Sequence, residues 1–189
     1  MCAWAYEQRL TYYSSTHLRK SPRKPSVAVS LLHDSDLANR LPAHHTSFVG
    51  RERELASILD LLLLPAIQLV TLTGPGGVGK TRLAERIAGE LAATPEIELI
   101  WISLAPLETT EQVAQAIGQQ FGLKGVDAAS LPDRLASRLL GRPVLIVLDN
   151  FEHLLSAAPM TAELLEACPT LTVLATSRGP LNLTWERVL

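Results

Sequence analysis

The sequence has little cysteine and no long apolar run, and each absence excludes a class of protein. Its two cysteines, Cys2 and Cys168, lie outside any CxxC or Cys/His spacing, which excludes a disulfide framework and a zinc finger. The longest apolar stretch, residues 55–70, contains Asp60 and Pro65 and falls short of the roughly 20 residues of a membrane span. We therefore expect a cytoplasmic protein with no membrane segment.

Aromatic residues and net charge are also scarce. Aromatic residues make up 5% of the chain and the formal net charge is −2, so the chain as a whole has no electrostatic attraction to nucleic acid or to an anionic membrane. In contrast, 47% of the residues are hydrophobic, and most of these are Leu, Ala, Val and Ile. This composition favours helices packed on a buried parallel sheet.

The chain divides into two regions of different character. Residues 1–43 show no sustained periodicity and include the basic, proline-containing stretch RKSPRKPS at 19–26. We expect a disordered or poorly structured leader, with a nucleic-acid contact as the less common alternative for such a basic tail. Residues 44–189 carry regular apolar patterns and form the expected folded domain.

Helical and strand patterns alternate in this second region. Short apolar runs rich in β-branched residues predict strands at 66–73, 96–105, 143–150 and 171–177. Helical spacing predicts helices from the possible caps Thr46 and Ser47 up to Pro65, and at 80–93, 109–122 and 131–141. Residues 151–168 are expected to be mostly helix. The alternation is typical of a three-layer αβα fold with a mostly parallel sheet. Because another strand begins near 187–189, we expect the domain to be incomplete at its C-terminus.

Residues 74–81, GPGGVGKT, carry the clearest chemical signal. Gly74, Gly79, Lys80 and Thr81 match the spacing G-x-x-x-x-G-K-T, between a predicted strand and a predicted helix. The start of that helix would direct partial positive charge at an anion. Lys80 would add a full charge between the β- and γ-phosphates, and Thr81 would offer its hydroxyl to Mg²⁺. A glycine-rich turn without a ligand is the alternative.

The remaining residues of this loop also suit phosphate binding. A Cβ atom would obstruct the dihedral angles and the close approach that backbone N–H groups need around a phosphate, which explains Gly76, Gly77 and Gly79. The expected nucleotide contacts in and next to the loop are Gly74, Pro75, Gly76, Gly77, Val78, Gly79, Lys80, Thr81 and Arg82. We therefore expect a nucleotide, with Mg²⁺, as the ligand.

A carboxylate that could hold the metal follows the third predicted strand. Asp149 ends an apolar run at the edge where ligands of open α/β sheets bind, although it could also cap the next helix. Asn150 stands where many P-loop ATPases have a second acid that polarises the attacking water. Because an amide cannot accept the proton, we expect slow hydrolysis. Glu152 could substitute, but a glutamate there is more often an exposed residue of a first helical turn.

Residues before and after these motifs are less informative by themselves. Arg178 follows the fourth predicted strand and could contact the γ-phosphate, or it could be a solvated loop residue. Gly50 and Arg51 belong to FVGRERE, whose spacing alone predicts only a capped surface helix. No metal site is expected at the histidines that lack companion ligands, which are His44, His45 and His153.

The motifs together resemble a known family. The chain contains, in this order, TSFVGRERELASIL, LVTLTGPGGVGKTRLAERIA, IWISLAPL, VLIVLDNFEHLL and CPTLTVLATSR. This series is similar to the signal-transducing NTPases called STAND, above all to the bacterial branch in large LuxR-type transcriptional regulators, which are related to NB-ARC domains. The resemblance covers about residues 46–189.

The resemblance implies the strand order of the ASCE class of P-loop NTPases. The strand that ends at Thr176 should then lie between the strand of Asp149 and the strand before Gly74. It also implies that Arg178 senses the γ-phosphate. Asn150 in place of an acid is common in this branch.

The resemblance further places Gly50 and Arg51 beside the adenine and ribose. Family members bind ADP when inactive, exchange it for ATP and then self-associate. The helical lid, winged helix, sensor repeats and DNA-binding module of the family have no counterpart in this sequence, so we expect no DNA contact from it.

Three functions follow as hypotheses. The first is an ATP/ADP switch with slow Mg²⁺-dependent hydrolysis in a signalling or transcription-regulator protein, with Lys80, Asp149 and Arg178 as the catalytic residues. The second is a general AAA+-type remodeller, which would usually have an acid at Asn150, or a kinase. The third is a truncated nucleotide-binding fragment without activity.

Overall fold

The computed structural model describes residues 50–92 and 94–189, so the expected leader at 1–43 lies outside the described residues. Six elements form its first half in the order α1 (Glu52–Leu63), β1 (Leu69–Thr73), α2 (Lys80–Ala92), β2 (Glu98–Ser103), α3 (Thr110–Gln120) and α4 (Leu131–Leu139). The second half contains β3 (Val144–Asp149), two short 3₁₀ turns (Phe151–His153 and Leu155–Ala157), α5 (Ala158–Ala167), β4 (Leu171–Ser177) and β5 (Arg187–Val188).

The five strands form one parallel sheet in the order β2-β3-β4-β1-β5. β4 pairs with β1 on one side, where Leu72 faces Thr176, and with β3 on the other, where Leu148 faces Ala175. The strand that ends near Thr176 therefore lies between the Asp149 strand and the Gly74 strand, and the expected order is confirmed. The short β5 pairs with β1 and confirms the strand expected near the end of the sequence.

Helices cover both faces of this sheet and produce three layers. Alternate strand residues point to opposite faces, and β1 shows this directly: Leu69 belongs to one apolar cluster, whereas Val70 and Leu72 belong to the other. The cluster of Val70 includes the buried faces of α1 and α2, and the cluster of Leu69 includes those of α3, α4 and α5. Because the strands are buried on both faces, they read as nearly continuous apolar runs.

Local sequence explains where several elements begin. Thr109 accepts a hydrogen bond from the backbone of Gln112, whose side chain bonds back to Thr109, and this capping box starts α3. The N-cap of α1 is Arg51, and the helix begins at Glu52. The expected caps Thr46 and Ser47 lie outside the described residues and are too far upstream for this start.

Residues 151–168, predicted as mostly helix, form an α-helix only in their later part. Two 3₁₀ turns occupy the first third of this segment, and the α-helix begins only at Ala158. Pro159 lies in the first turn of α5, where its missing N–H breaks no hydrogen bond, whereas deeper in a helix it would remove one. The proline therefore fixes the start of α5, and the 3₁₀ turns lie beside the end of β3.

No helix within 50–92 and 94–189 is long and apolar enough to cross a membrane.

Candidate nucleotide-binding site

The glycine-rich loop joins the end of β1 to the start of α2, as the sequence predicts. Gly74, Gly77 and Gly79 have φ angles of +144°, +80° and +93°, which non-glycine residues rarely adopt. A Cβ on Gly74 would also lie 3.1 Å from Cγ1 of Val78. Gly76 is different, because its φ is not positive and the nearest atom to a built Cβ is Nη2 of Arg178 at 4.0 Å. The backbone therefore requires glycine at 74, 77 and 79, and the expected requirement at Gly76 is not seen.

Lys80 extends back over this loop. Its Nζ donates to the carbonyl oxygen of Gly74 at 2.8 Å and to that of Pro75 at 3.1 Å. The ammonium therefore lies within the curve of the loop, close to where a phosphate would enter. Val78 is exposed, and Arg82 lies in the first turn of α2.

A hydrogen-bond network links α2, β3 and β4 next to Lys80. Oδ1 of Asp149 accepts from Oγ1 of Thr81 at 2.9 Å and from Oγ1 of Thr176 at 2.6 Å. Oγ1 of Thr176 in turn accepts from the backbone N–H of Asn150 at 2.9 Å. Asp149 is 5% exposed, so these donors stabilise a buried carboxylate. The 3₁₀ turn that follows is preceded by Asn150, without a side-chain cap, so the bonds of Asp149 differ from those of a helix cap.

This donor set is chemically suited to magnesium. Mg²⁺ prefers oxygen ligands and usually retains several waters, with one or two protein groups beside phosphate oxygens. The hydroxyl of Thr81 and the carboxylate of Asp149 are two such oxygens at 2.9 Å from each other. Within the described residues, no group of three or more His, Cys, Asp or Glu side chains could hold a metal. A metal there would depend on Thr81, Asp149, water and the ligand's own phosphates.

Thr176 is a site residue that the sequence alone did not identify. It is fully buried at the end of β4, and its hydroxyl connects the Asp149 carboxylate to the Asn150 backbone. A β-branched residue in a strand usually indicates β-propensity, so nothing in its type marks a polar role. The available signal is its position, since β4 lies beside β3 and its last residues must approach Asp149.

The residues that follow Asp149 turn sharply. Asn150 has a φ of +67°, a left-handed conformation that Asn tolerates better than most residues. Glu152 lies in the next 3₁₀ turn, where Oε1 faces Nε of Arg178 at 3.3 Å. Its Oε2 is buried without a hydrogen-bond partner in the part of the chain described. Glu152 does lie in a first turn, as expected, but the expected exposure is wrong, since its side chain is only 24% exposed.

Two arginines approach the loop from different elements. Arg178, just after β4, is 71% exposed and lies near Gly76. Arg51, at the start of α1, donates from Nη1 to the carbonyl oxygen of Val78 at 3.3 Å and pairs through Nε with Glu54 at 2.7 Å. Arg51 thus contacts the loop, which a purely surface helix start would not do.

Gly50 lies next to Arg51 and is exposed. It has a φ of +96°, and its N–H donates to Oε1 of Glu52 at 3.0 Å. Hydrogen bonds from the backbone N–H groups of Gly50 and Glu52 hold the pKa of the Glu52 carboxyl below its usual value. Gly50 therefore shapes the turn that precedes α1 and leads into Arg51.

Among the residues that the structure describes, His153 does not belong to a group of three or more potential metal ligands. Its Nε2 lies 2.9 Å from the carbonyl oxygen of Leu107, which is consistent with the expected structural role. His44 and His45 lie outside the described residues.

Known proteins match this chain in sequence. The AAA domain family matches residues 67–185. A Mycobacterium tuberculosis protein that bears the name of an HTH-type transcriptional regulator is 46% identical over 125 residues, which are 66% of this chain and 14% of that protein. An uncharacterized Mycobacterium tuberculosis protein is 39% identical over 144 residues, which are 76% of this chain and 36% of that protein. The chain thus spans a minor part of each relative.

Solved structures match its fold. The Aeropyrum pernix ORC1 protein, solved in complex with DNA, superposes with a TM-score of 0.59 at 24% identity, over 73% of this chain and 44% of that one. A Signal Transduction ATPase with Numerous Domains (STAND) from Pyrococcus horikoshii, with a tetratricopeptide repeat sensor, has a TM-score of 0.55 at 23% identity, over 79% and 23% of the two chains. Both matches support the αβα fold of P-loop NTPases.

Proposed function

Because this chain belongs to the AAA domain family, we propose that it is an ATP- and ADP-binding regulatory module that acts as a nucleotide switch in a signalling or transcription-regulator protein. One observation carries the proposal. The positive-φ glycine loop, Lys80 and the bonded pair of Thr81 and Asp149 lie together at one edge of the sheet. This arrangement supplies backbone donors, a cation and hard oxygen ligands, which are the components of a Mg²⁺-nucleotide site.

Each group then has a proposed role. Backbone N–H groups of residues 74–81 bind the phosphates, and Lys80 exchanges its contacts with the carbonyls of Gly74 and Pro75 for phosphate oxygens. Thr81 and Asp149 hold Mg²⁺, which neutralises phosphate charge when it is bound. Arg82, in the first turn of α2, adds a positive charge close to the phosphates.

The base and ribose of the nucleotide are proposed to bind where the start of α1 meets the loop. Arg51 already contacts the carbonyl of Val78, so a nucleoside bound against the loop would meet Arg51 and the adjoining Gly50. Arg178, close to Gly76, is proposed to contact the terminal phosphate.

Slow hydrolysis follows from the residue beside the metal carboxylate. The amide of Asn150 cannot accept the proton of an attacking water, and the backbone N–H of Asn150 is bonded to Thr176. Turnover is therefore proposed to lie well below the roughly 10 s⁻¹ median of enzymes. Such a site retains each nucleotide long enough to report which one is bound.

The role of the whole protein is a wider proposal. We propose that residues 44–189 form the NTPase domain. A relative bears the name of an HTH-type transcriptional regulator, which supports a DNA-binding module elsewhere in a longer protein. We propose that residues 44–189 themselves do not contact DNA. ATP-dependent self-association of the longer protein in the cytoplasm is the output that we propose.

The decisive experiment measures nucleotide binding by calorimetry. We expect Lys80→Ala to abolish or strongly weaken the binding of Mg-ATP and Mg-ADP, because it removes the side-chain cation that is bonded to the loop carbonyls of Gly74 and Pro75. Lys124→Ala is the matched control, since Lys124 is exposed in a loop between α3 and α4. Equal affinities for wild type and Lys80→Ala would refute the proposal.

A further inference from the structure

Glu152 and Arg178 form an ion pair at the edge of the proposed nucleotide site. Nε of Arg178 lies 3.3 Å from Oε1 of Glu152. Nη2 of the same guanidinium would lie 4.0 Å from a Cβ on Gly76. Arg178 therefore reaches both a carboxylate of the chain and the loop that is proposed to bind phosphates.

The two partners differ in their freedom to move. Glu152 lies in a 3₁₀ turn between Phe151 and Leu154, which are 0% and 1% exposed and anchor the turn in the core. Its side chain is 24% exposed and Oε2 is buried. The side chain of Arg178 is 71% exposed, so its long stem can adopt other rotamers at little steric cost. The carboxylate is the fixed partner and the guanidinium is the movable one.

Two anions that need the same guanidinium donor compete for it. Arginine frequently binds a phosphate in a bidentate way, through two parallel N–H donors. A phosphate that uses Nε and Nη2 of Arg178 would need the Nε donor that now faces Glu152. A terminal phosphate near Gly76 would compete with Glu152 for the same group. ADP lacks that phosphate and leaves the ion pair intact.

We propose that Glu152 is a specificity-determining residue: its ion pair with Arg178 must be broken when ATP binds and is kept when ADP binds, so it lowers the affinity for ATP relative to ADP. The inference rests on the proposed function, because it requires a nucleotide at the loop. It gives a reason why this site would favour ADP over ATP. The preference would decrease when Glu152 no longer pairs with Arg178.

The expected effect is small but measurable. Ion pairs with an exposed partner contribute little, which limits the competition to about two- to fivefold in affinity. Glu152→Gln removes the charge and keeps the size of the side chain. It should tighten the binding of a non-hydrolysable ATP analogue with Mg²⁺ by about two- to fivefold and leave Mg-ADP unchanged.

The test is a double-mutant cycle by calorimetry on the full 189-residue chain. The four proteins are wild type, Glu152→Gln, Arg178→Gln and the double variant, each titrated with the ATP analogue and with ADP. In the Arg178→Gln background, Glu152→Gln should no longer change the affinity for the analogue. A tightening that persists there, or that is equal for both nucleotides, would reflect general electrostatics and overturn the proposal.

Two controls keep the outcome clear. Glu90→Gln breaks the pair of Arg86 and Glu90 about 15 Å along α2 from Lys80, and it should change neither affinity. If circular dichroism shows that Glu152→Gln does not fold, Glu152→Asp replaces it. Its shorter side chain should also raise the affinity for the ATP analogue relative to ADP. A wild type that binds neither nucleotide refutes the proposed function and this inference together. If binding depends on Lys80 but the ratio of the affinities for the ATP analogue and for ADP is the same in these variants as in wild type, this inference alone is refuted.

Discussion

Thr176→Val tests whether the carboxylate at the end of β3 depends on a neighbouring strand. Valine has nearly the shape of threonine, so the change removes the hydroxyl and little else. Asp149 would lose a donor at 2.6 Å, and the N–H of Asn150 would lose its acceptor at 2.9 Å. Both groups lie where water has little access, because Asp149 is 5% exposed and Thr176 is fully buried.

The magnitude follows from these two bonds. A hydrogen bond to a charged group contributes about 1.5–3 kcal/mol, and leaving a buried donor unpaired costs about 1–3 kcal/mol. Asp149 keeps its bond from Thr81, and the added methyl group recovers part of the loss. We therefore expect the free energy of unfolding to fall by about 2–3 kcal/mol. Mg²⁺-dependent nucleotide binding should also weaken, because the carboxylate loses a donor that fixes its position.

Thr71→Val is a matched control for this experiment. Thr71 lies in the adjacent strand β1 and is also fully buried, but its Oγ1 has no hydrogen-bond partner among the described residues. Removing that hydroxyl should leave stability unchanged or increase it, because no bond is lost. Urea unfolding at a constant m-value measures both variants. Equal losses of stability in the two variants would refute the reasoning, since burial of a threonine would then matter more than its bonds.

Two further predictions concern the proposed chemistry. Asp149→Asn should weaken nucleotide binding more with Mg²⁺ than in the presence of EDTA, because it removes the charge that would hold the metal; equal losses in calorimetry would contradict a metal role. Steady-state ATP hydrolysis should be well below roughly 10 s⁻¹, and Asn150→Asp, which keeps a residue tolerated at this positive φ, should increase it by adding a proton acceptor. Rapid wild-type turnover, or a variant no faster than wild type, would contradict the assignment.

Sequence patterns predicted the parts of this molecule that depend on local chemistry. The strand, glycine loop and helix around Lys80 follow from residue types that allow few other conformations, and Gly77 at a φ of +80° is an example. The position of Asp149 near Thr81 also followed, because parallel strands end at one edge of a sheet. The roles of these residues in binding stay predictions until a ligand is measured.

Contacts between distant segments could not be read in the same way. Thr176 and Asp149 are 27 positions apart in the sequence. The pairing of β3 with β4 is what brings them within hydrogen-bond distance. The 3₁₀ turns before Ala158 were missed because helical spacing continues through residues 151–157. The pairing of Glu152 with Arg178 was missed for the same reason, since it depends on where that turn directs its side chains.

The polar groups at this sheet edge fall into a fixed set and a movable set. Asp149 and Thr176 are buried and bonded to each other, so they should be nearly the same with and without a ligand. Lys80, Arg51 and Arg178 are more exposed, and each already has an acceptor within the chain. A nucleotide at this edge must replace such contacts, so its affinity is a difference between two sets of bonds. Of these three cations, Arg178 is the one whose described ion pair reaches a carboxylate on a different element. If the proposed site holds a nucleotide, we expect Arg178 to be the cation through which the rest of the protein most directly alters the choice between ATP and ADP.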